Sequence, residues 1–139
     1  MSQIPVGLLG FGLAGSVFHA PLIQACEALR LAAVGSRSFE GKQPPEGVGC
    51  ASIDEVLADP GIELIVVATP NDSHASLARQ ALAAGKHVVV DKPFALRVAE
   101  AEDLIALARD KQRCLSVFHN RRWDADFLTA QQVIAEGRL

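Results

Sequence analysis

The sequence predicts an α/β domain built on a doubly wound parallel sheet, and three observations carry that prediction. Short apolar runs alternate with helix-patterned stretches along the 139 residues. Glycines stand at Gly10, Gly12 and Gly15, directly after the first apolar run and directly before a helical pattern. Several later apolar runs end in polar clusters carrying Asn, Asp, His, Lys or Arg. Strands joined through helices pair in parallel, and such a sheet binds its ligands at the carboxyl ends of its strands.

Composition narrows the class. Half of the residues are hydrophobic, which suits a chain with a sizeable core. A net charge of −3 argues against a general nucleic-acid or membrane surface. The apolar runs are too short to span a bilayer, and Met1-Ser2-Gln3 has no basic leader region. Cys26, Cys50 and Cys114 are odd in number and far apart. They suit a reducing cytoplasm and suggest neither a disulfide framework nor a metal site. All three are expected to be buried or half-buried small residues.

The first strand, Val6-Gly7-Leu8-Leu9, runs into Gly10-Phe11-Gly12-Leu13-Ala14-Gly15. Strand, glycine turn, helix is the setting in which a GxGxxG pattern marks a dinucleotide site of the Rossmann type. Gly10 allows the tight turn, Gly12 lets a pyrophosphate approach the backbone, and Gly15 lets the helix pack closely. The helix N-terminus then offers N–H groups to phosphate. Read without a ligand, the same residues are a glycine-rich turn. The helix is expected to start near Leu13 and to be interrupted at Pro21, which fits the first turn of a second helical piece over residues 22–29. His19, before the break, reads as a packing or capping residue.

Residues 31–35 form the second strand, and the three residues after it select the cofactor. An NAD site places a carboxylate there to hold the ribose 2′-hydroxyl. This chain has Ser36-Arg37-Ser38, with no carboxylate between Glu27 and Glu40. A guanidinium fork and two hydroxyls suit a 2′-phosphate, so NADP is expected over NAD. Otherwise Arg37 is a solvated loop charge.

Residues 40–49 read as a loop, with at best a poor crossover helix. Ser52 and Glu55 have capping-box spacing before a short helix at 53–57. Residues 62–69 are the most apolar strand, suited to the sheet centre. It ends in Thr69-Pro70-Asn71-Asp72-Ser73-His74, where Asp72 or Ser73 can cap a helix over 75–84. The strand at 86–90 ends in Asp91-Lys92-Pro93, and Pro93 restricts the backbone of Lys92. Beyond it lie a helix at 98–111, a strand at 114–118 and a helix at 125–136. Ala101, Leu104, Ile105 and Ala108 are the expected buried face of the first of these helices.

GFGLAG, ATPNDSH, DKP and FHNRRWD, in this order and spacing, resemble the Gfo/Idh/MocA family of glucose–fructose oxidoreductase and inositol dehydrogenase. The resemblance covers essentially the whole chain. The GSVFHAPLI and FHNRRWD stretches look closest to NADP-dependent scyllo-inositol dehydrogenases and their relatives. It implies an NADP-dependent oxidoreductase acting on a sugar or polyol. Lys92 takes the family's catalytic lysine position, hydrogen-bonding the reacting hydroxyl, with a Lys92–Pro93 bond that is often cis. Asp91 stands where the family carries Glu, which puts its contact to cofactor or lysine in doubt. Thr69, Pro70, Asn71 and His74 would line the nicotinamide ribose. Asn120, Arg121 and Trp123 would border nicotinamide and substrate, with Trp123 on the substrate side. Capping and surface ion pairing are the alternatives for these residues singly. Residues 1–139 are then the cofactor-binding domain alone. The family's second domain carries the general base and the oligomer interface, and the isolated domain is expected to be inactive. A non-catalytic dinucleotide-binding sensor or regulatory module is the alternative, and Lys92 discriminates the two.

Overall fold

In the computed structural model, which describes residues 2–39 and 41–138, strands and helices keep the expected alternation. In chain order they are β1 (Ile4–Leu9), a π-wound turn (Ala14–His19), α1 (Ala20–Ala25), β2 (Leu29–Gly35), β3 (Gly49–Ala51) and α2 (Ile53–Ala58). Then come β4 (Leu64–Val67), a 3₁₀ turn (Asn71–Ser73), α3 (His74–Ala83), β5 (His87–Val90) and α4 (Val98–Asp110). The last three are β6 (Leu115–Val117), a second 3₁₀ turn (Asn120–Trp123) and α5 (Ala125–Ala135).

The six strands make one sheet in the order β3-β2-β1-β4-β5-β6, with every pair parallel. The order reverses between β1 and β4, which opens a crevice at their carboxyl ends. Val6, Leu8, Leu9, Ile65, Val67, Val88 and Val90 are fully buried. Two apolar cores lie on opposite faces. One joins the sheet to α2, α3 and α4 through residues such as Val56, Leu82 and Leu104. The other joins it to α1 through Ala20 and Ile23.

Some expectations hold and others change. The helix after the glycine turn changes pitch from π to α around His19 and Ala20. It has a second piece, α1, with Pro21 in its first turn, as expected. Proline is tolerated there because its missing N–H has no obligatory acceptor. This helix ends at Ala25, not 29, because Leu29 pairs with Ile4 at the start of β2. Strand β3 stands where the sequence predicts no strand. It is three residues long and carries no apolar run, and only pairing with β2 makes it a strand. No helix lies in the described part of the 40–49 loop.

Ser52 and Glu55 form the expected capping box on α2, with Ser52 N–H 2.7 Å from the Glu55 carboxylate. Neither Asp72 nor Ser73 caps α3 through its side chain. The Ser73 hydroxyl lies 2.6 Å from the Pro70 carbonyl oxygen and 2.7 Å from Thr69 Oγ1 instead. On α4, Leu104 and Ala108 are buried, whereas Ile105 is exposed. The three cysteines are exposed rather than buried. Among the described residues no helix is long and apolar enough to cross a membrane, and no cluster could hold a metal ion.

Candidate cofactor and active site

Two of the three fingerprint glycines are demanded by the protein itself. Gly10 ends β1 with φ of +93°, and a Cβ there would stand 2.6 Å from the Ala68 carbonyl oxygen. A Cβ on Gly15 would overlap the Gly10 carbonyl oxygen. Gly12 differs, because a Cβ there would meet no protein atom within 4 Å. Nothing inside the fold calls for glycine at that position. A ligand lying against the backbone does, and pyrophosphate at a helix N-terminus is the ligand this geometry suits.

The glycine turn opens on a cleft of about 370 Å³ at the carboxyl ends of β1, β2 and β4. Gly10, Phe11, Gly12, Leu13 and Ala14 form one wall; Ser36, Arg37 and Ser38 form a second; Thr69 and Pro70 close a third. The local sequence shapes the second wall. The Ser36 hydroxyl donates to the Ser38 carbonyl oxygen at 2.6 Å and accepts the Ser38 N–H at 3.3 Å. This turn carries Arg37 at its tip, exposed, with no hydrogen bond or ion pair among the described residues. Among the described residues no carboxylate lines the cleft. Ile53, at the start of α2, also lines it. The sequence marks Ile53 only as a helix residue, because nothing local ties it to the β2 loop.

Lys92 lies just past β5 at the same edge of the sheet. The Lys92–Pro93 peptide is cis, as the resemblance implies. Lys92 is exposed, and its ammonium has no partner among the described residues. Its neighbours are held firmly. Asp91 Oδ1 accepts the Lys92 N–H at 2.7 Å. The Asp91 carboxylate is 13% exposed, and Oδ2 stands 3.5 Å from His19 Nε2. The Asp91 carboxylate is therefore turned largely into the protein, toward His19.

His74 is enclosed between two loops at this edge. Its ring is 1% exposed, with Nδ1 2.7 Å from the Pro93 carbonyl oxygen and Nε2 2.8 Å from the Thr69 carbonyl oxygen. A backbone carbonyl oxygen faces each nitrogen, so the ring sits between the β4 and β5 loops, and whichever nitrogen carries the proton donates to one of them. Asn71, one turn earlier, is exposed.

Asn120 and Trp123 line a different hollow, of about 600 Å³, with Leu22, Phe118 and Arg122. Trp123 is 79% exposed. Arg121 is not in the glycine-turn cleft; its guanidinium pairs with Asp124 Oδ2 at 2.6 Å on the surface. The side-chain hydrogen bond to Asp124 raises its pKa.

His19 is the residue whose surroundings the sequence concealed. It is 4% exposed and stacks at a tilt on Phe118, with ring centroids 4.5 Å apart. Burial lowers its pKa below the ordinary 6.5, and the Asp91 carboxylate opposes the shift. Below about pH 6.5 the unfolded chain therefore takes up a proton that folded His19 resists. The His19 contribution to stability is complete above that pH and is lost as pH falls toward the depressed folded value. Denaturant unfolding between about pH 7.5 and 5 is expected to show this fall, and His19→Phe is expected to flatten it.

Known proteins agree with this geometry. The chain is 50% identical over 99% of its length to the uncharacterized oxidoreductase YdgJ of Escherichia coli, covering 40% of that protein. It is 43% identical over its whole length to the scyllo-inositol 2-dehydrogenase (NADP(+)) IolW of Bacillus subtilis, covering 39% of it. The structure of a Synechocystis biliverdin reductase in complex with biliverdin and NADP+ superimposes with a TM-score of 0.88 at 30% identity, over 96% of this chain and 43% of that one. The chain thus spans about two fifths of the length of these relatives. Residues 4–119 match the model of the Gfo/Idh/MocA oxidoreductase family, described by its NAD-binding Rossmann fold. With the sheet order, the glycine turn and these likenesses together, the chain belongs to the Gfo/Idh/MocA oxidoreductase family.

Proposed function

We propose that this chain is the cofactor-binding part of an NADP-dependent oxidoreductase that moves a hydride between nicotinamide and a hydroxyl-bearing carbon of a sugar or polyol. The observation that carries the cofactor choice is Arg37, at the tip of the Ser36 turn, in a cleft where the described residues give it no partner and include no carboxylate. A 2′-phosphate gains a charge-assisted contact there and meets no like charge among the described lining residues. IolW, named for NADP(+) and scyllo-inositol, supports both halves of the reading.

Each group then has a task. N–H groups of the glycine turn and the helix after it would hold pyrophosphate, and Arg37 would hold the 2′-phosphate. Bound nicotinamide supplies the carbon that accepts or gives the hydride. Lys92 would hydrogen-bond the substrate hydroxyl oxygen and stabilise its negative charge as the proton leaves. The general base and the substrate's remaining wall would lie in a second domain. On α5, Phe127, Leu128 and Ile134 face outward, which suits packing against such a body.

Titration with NADPH and NADH tests the cofactor reading. NADPH should bind more tightly, and Arg37→Ala should remove most of the difference. A charge-assisted contact of roughly 1.5–3 kcal/mol predicts about a ten- to hundredfold preference. Equal affinities in the unmutated chain would refute NADP selectivity.

A further inference from the structure

We propose that His19 is a positioning residue for Lys92. Its buried imidazole holds the Asp91 carboxylate, Asp91 holds the Lys92 amide, and the helix after the glycine turn thereby sets where the lysine stands. This deepens the reading of Lys92 as the group facing the substrate hydroxyl, and rests on it.

Three placements converge on His19. It is the last residue of the π-wound turn that begins at Ala14, beside the phosphate-binding glycines. Single-turn π segments within helices occur frequently at functional sites. Its ring is caught against Phe118, just past β6, so it cannot swing freely. Its Nε2 is buried, has no conventional hydrogen-bond partner among the described residues, and faces Asp91 Oδ2 at 3.5 Å. A buried ring nitrogen facing a carboxylate is paired only if the nitrogen carries the proton, which a tautomer of neutral imidazole provides.

Asp91 passes the constraint on. Its N–H donates to the Val67 carbonyl oxygen at 2.9 Å, tying it to β4. Its two carboxylate oxygens are divided, Oδ1 to the Lys92 amide and Oδ2 to His19. The His19 and Asp91 side chains are largely buried, whereas Lys92 is exposed, so they reach a bound substrate through the lysine. The Lys92 ammonium has no side-chain anchor among the described residues, which leaves its origin to the backbone on either side. His74 holds the Pro93 carbonyl after it, and Asp91 holds the amide before it.

The test reads Lys92 directly, in this chain, with no turnover required. In proton–nitrogen correlation spectra the Lys92 amide should lie downfield because of its short bond to Asp91. His19→Phe, which keeps a ring against Phe118 and removes the donor, should shift that resonance upfield. The Lys86 amide, at the opposite end of β5, should stay in place. His19→Gln, which can return an N–H toward Asp91, should restore the Lys92 position. A Lys92 amide unmoved in folded His19→Phe, or moved equally in both variants, would overturn the proposal. Should His19→Phe fail to fold, the imidazole titration in Asp91→Asn decides. The carboxylate raises the His19 pKa, so its loss should lower the midpoint, and an unchanged midpoint would overturn the proposal. Loss of NADPH selectivity would refute the proposed function and leave these readouts standing.

Discussion

Replacing Lys92 with alanine is expected to lower hydride-transfer turnover by several orders of magnitude and to leave NADPH affinity nearly unchanged. The lysine stands at the carboxyl end of β5, exposed and without a partner among the described residues, while the glycine-turn cleft is built from other residues. An ammonium that stabilises a developing alkoxide is worth about 10²–10³-fold. Lost help with proton transfer adds about 10²–10⁴-fold. The two overlap, so their product is an upper bound. A chimera in which this chain replaces the segment it matches in IolW permits the measurement, with scyllo-inositol and NADP+ as reactants. Stopped-flow absorbance would track hydride transfer in both forms, and fluorescence titration would track binding. Normal turnover in the alanine variant would remove Lys92 from the chemistry. The non-catalytic binding module would then be the better reading of this chain.

The second large effect separates glycines that look equivalent in the sequence. Gly15→Ala places a Cβ on the Gly10 carbonyl oxygen, which is backbone at the end of a central strand. That atom cannot yield without moving β1 away from its bonds to β2 and β4. The variant should lose thermal stability and cofactor binding together, at a cost of about 1–3 kcal/mol or more for overpacking. Gly12→Val should behave oppositely. A Cβ there meets no protein atom within 4 Å, so stability should change little. The new side chain instead occupies the approach of the pyrophosphate, and NADPH affinity should fall at least tenfold, about 1.4 kcal/mol. Thermal unfolding and cofactor titration of the two variants give the contrast. If Gly12→Val binds NADPH normally, the phosphates do not lie against this backbone.

Much of this protein is determined locally. The run Leu8-Leu9, the glycine turn and the helical pattern after it mark a strand-to-helix phosphate site, because close backbone approach and a tight turn need glycine whatever the surroundings. The continuous apolar stretch at 64–67 marks a central strand, because only a strand covered on both faces dispenses with alternation. Ser52 and Glu55 announce the start of α2, because a capping box is satisfied within four residues. The absence of a carboxylate beside Arg37 is likewise a property of the sequence alone.

Other features were decided by tertiary structure, through partners on other elements of the fold. Strand β3 exists because β2 supplies its hydrogen bonds, and its own residues carry no strand signal. Leu29 belongs to β2 because Ile4 pairs with it, although its spacing also fits a helix face. The burial of His74 is also tertiary, because folding puts the Pro93 carbonyl of the β5 loop against its ring. Asp91 and His19 are far apart in the sequence, and only the packing of the π-wound turn beside β5 brings carboxylate and imidazole together. Periodicity and turn chemistry report what a segment can satisfy by itself. Where a buried polar group finds its partner is settled by which strands become neighbours, and that is a property of the folded sheet.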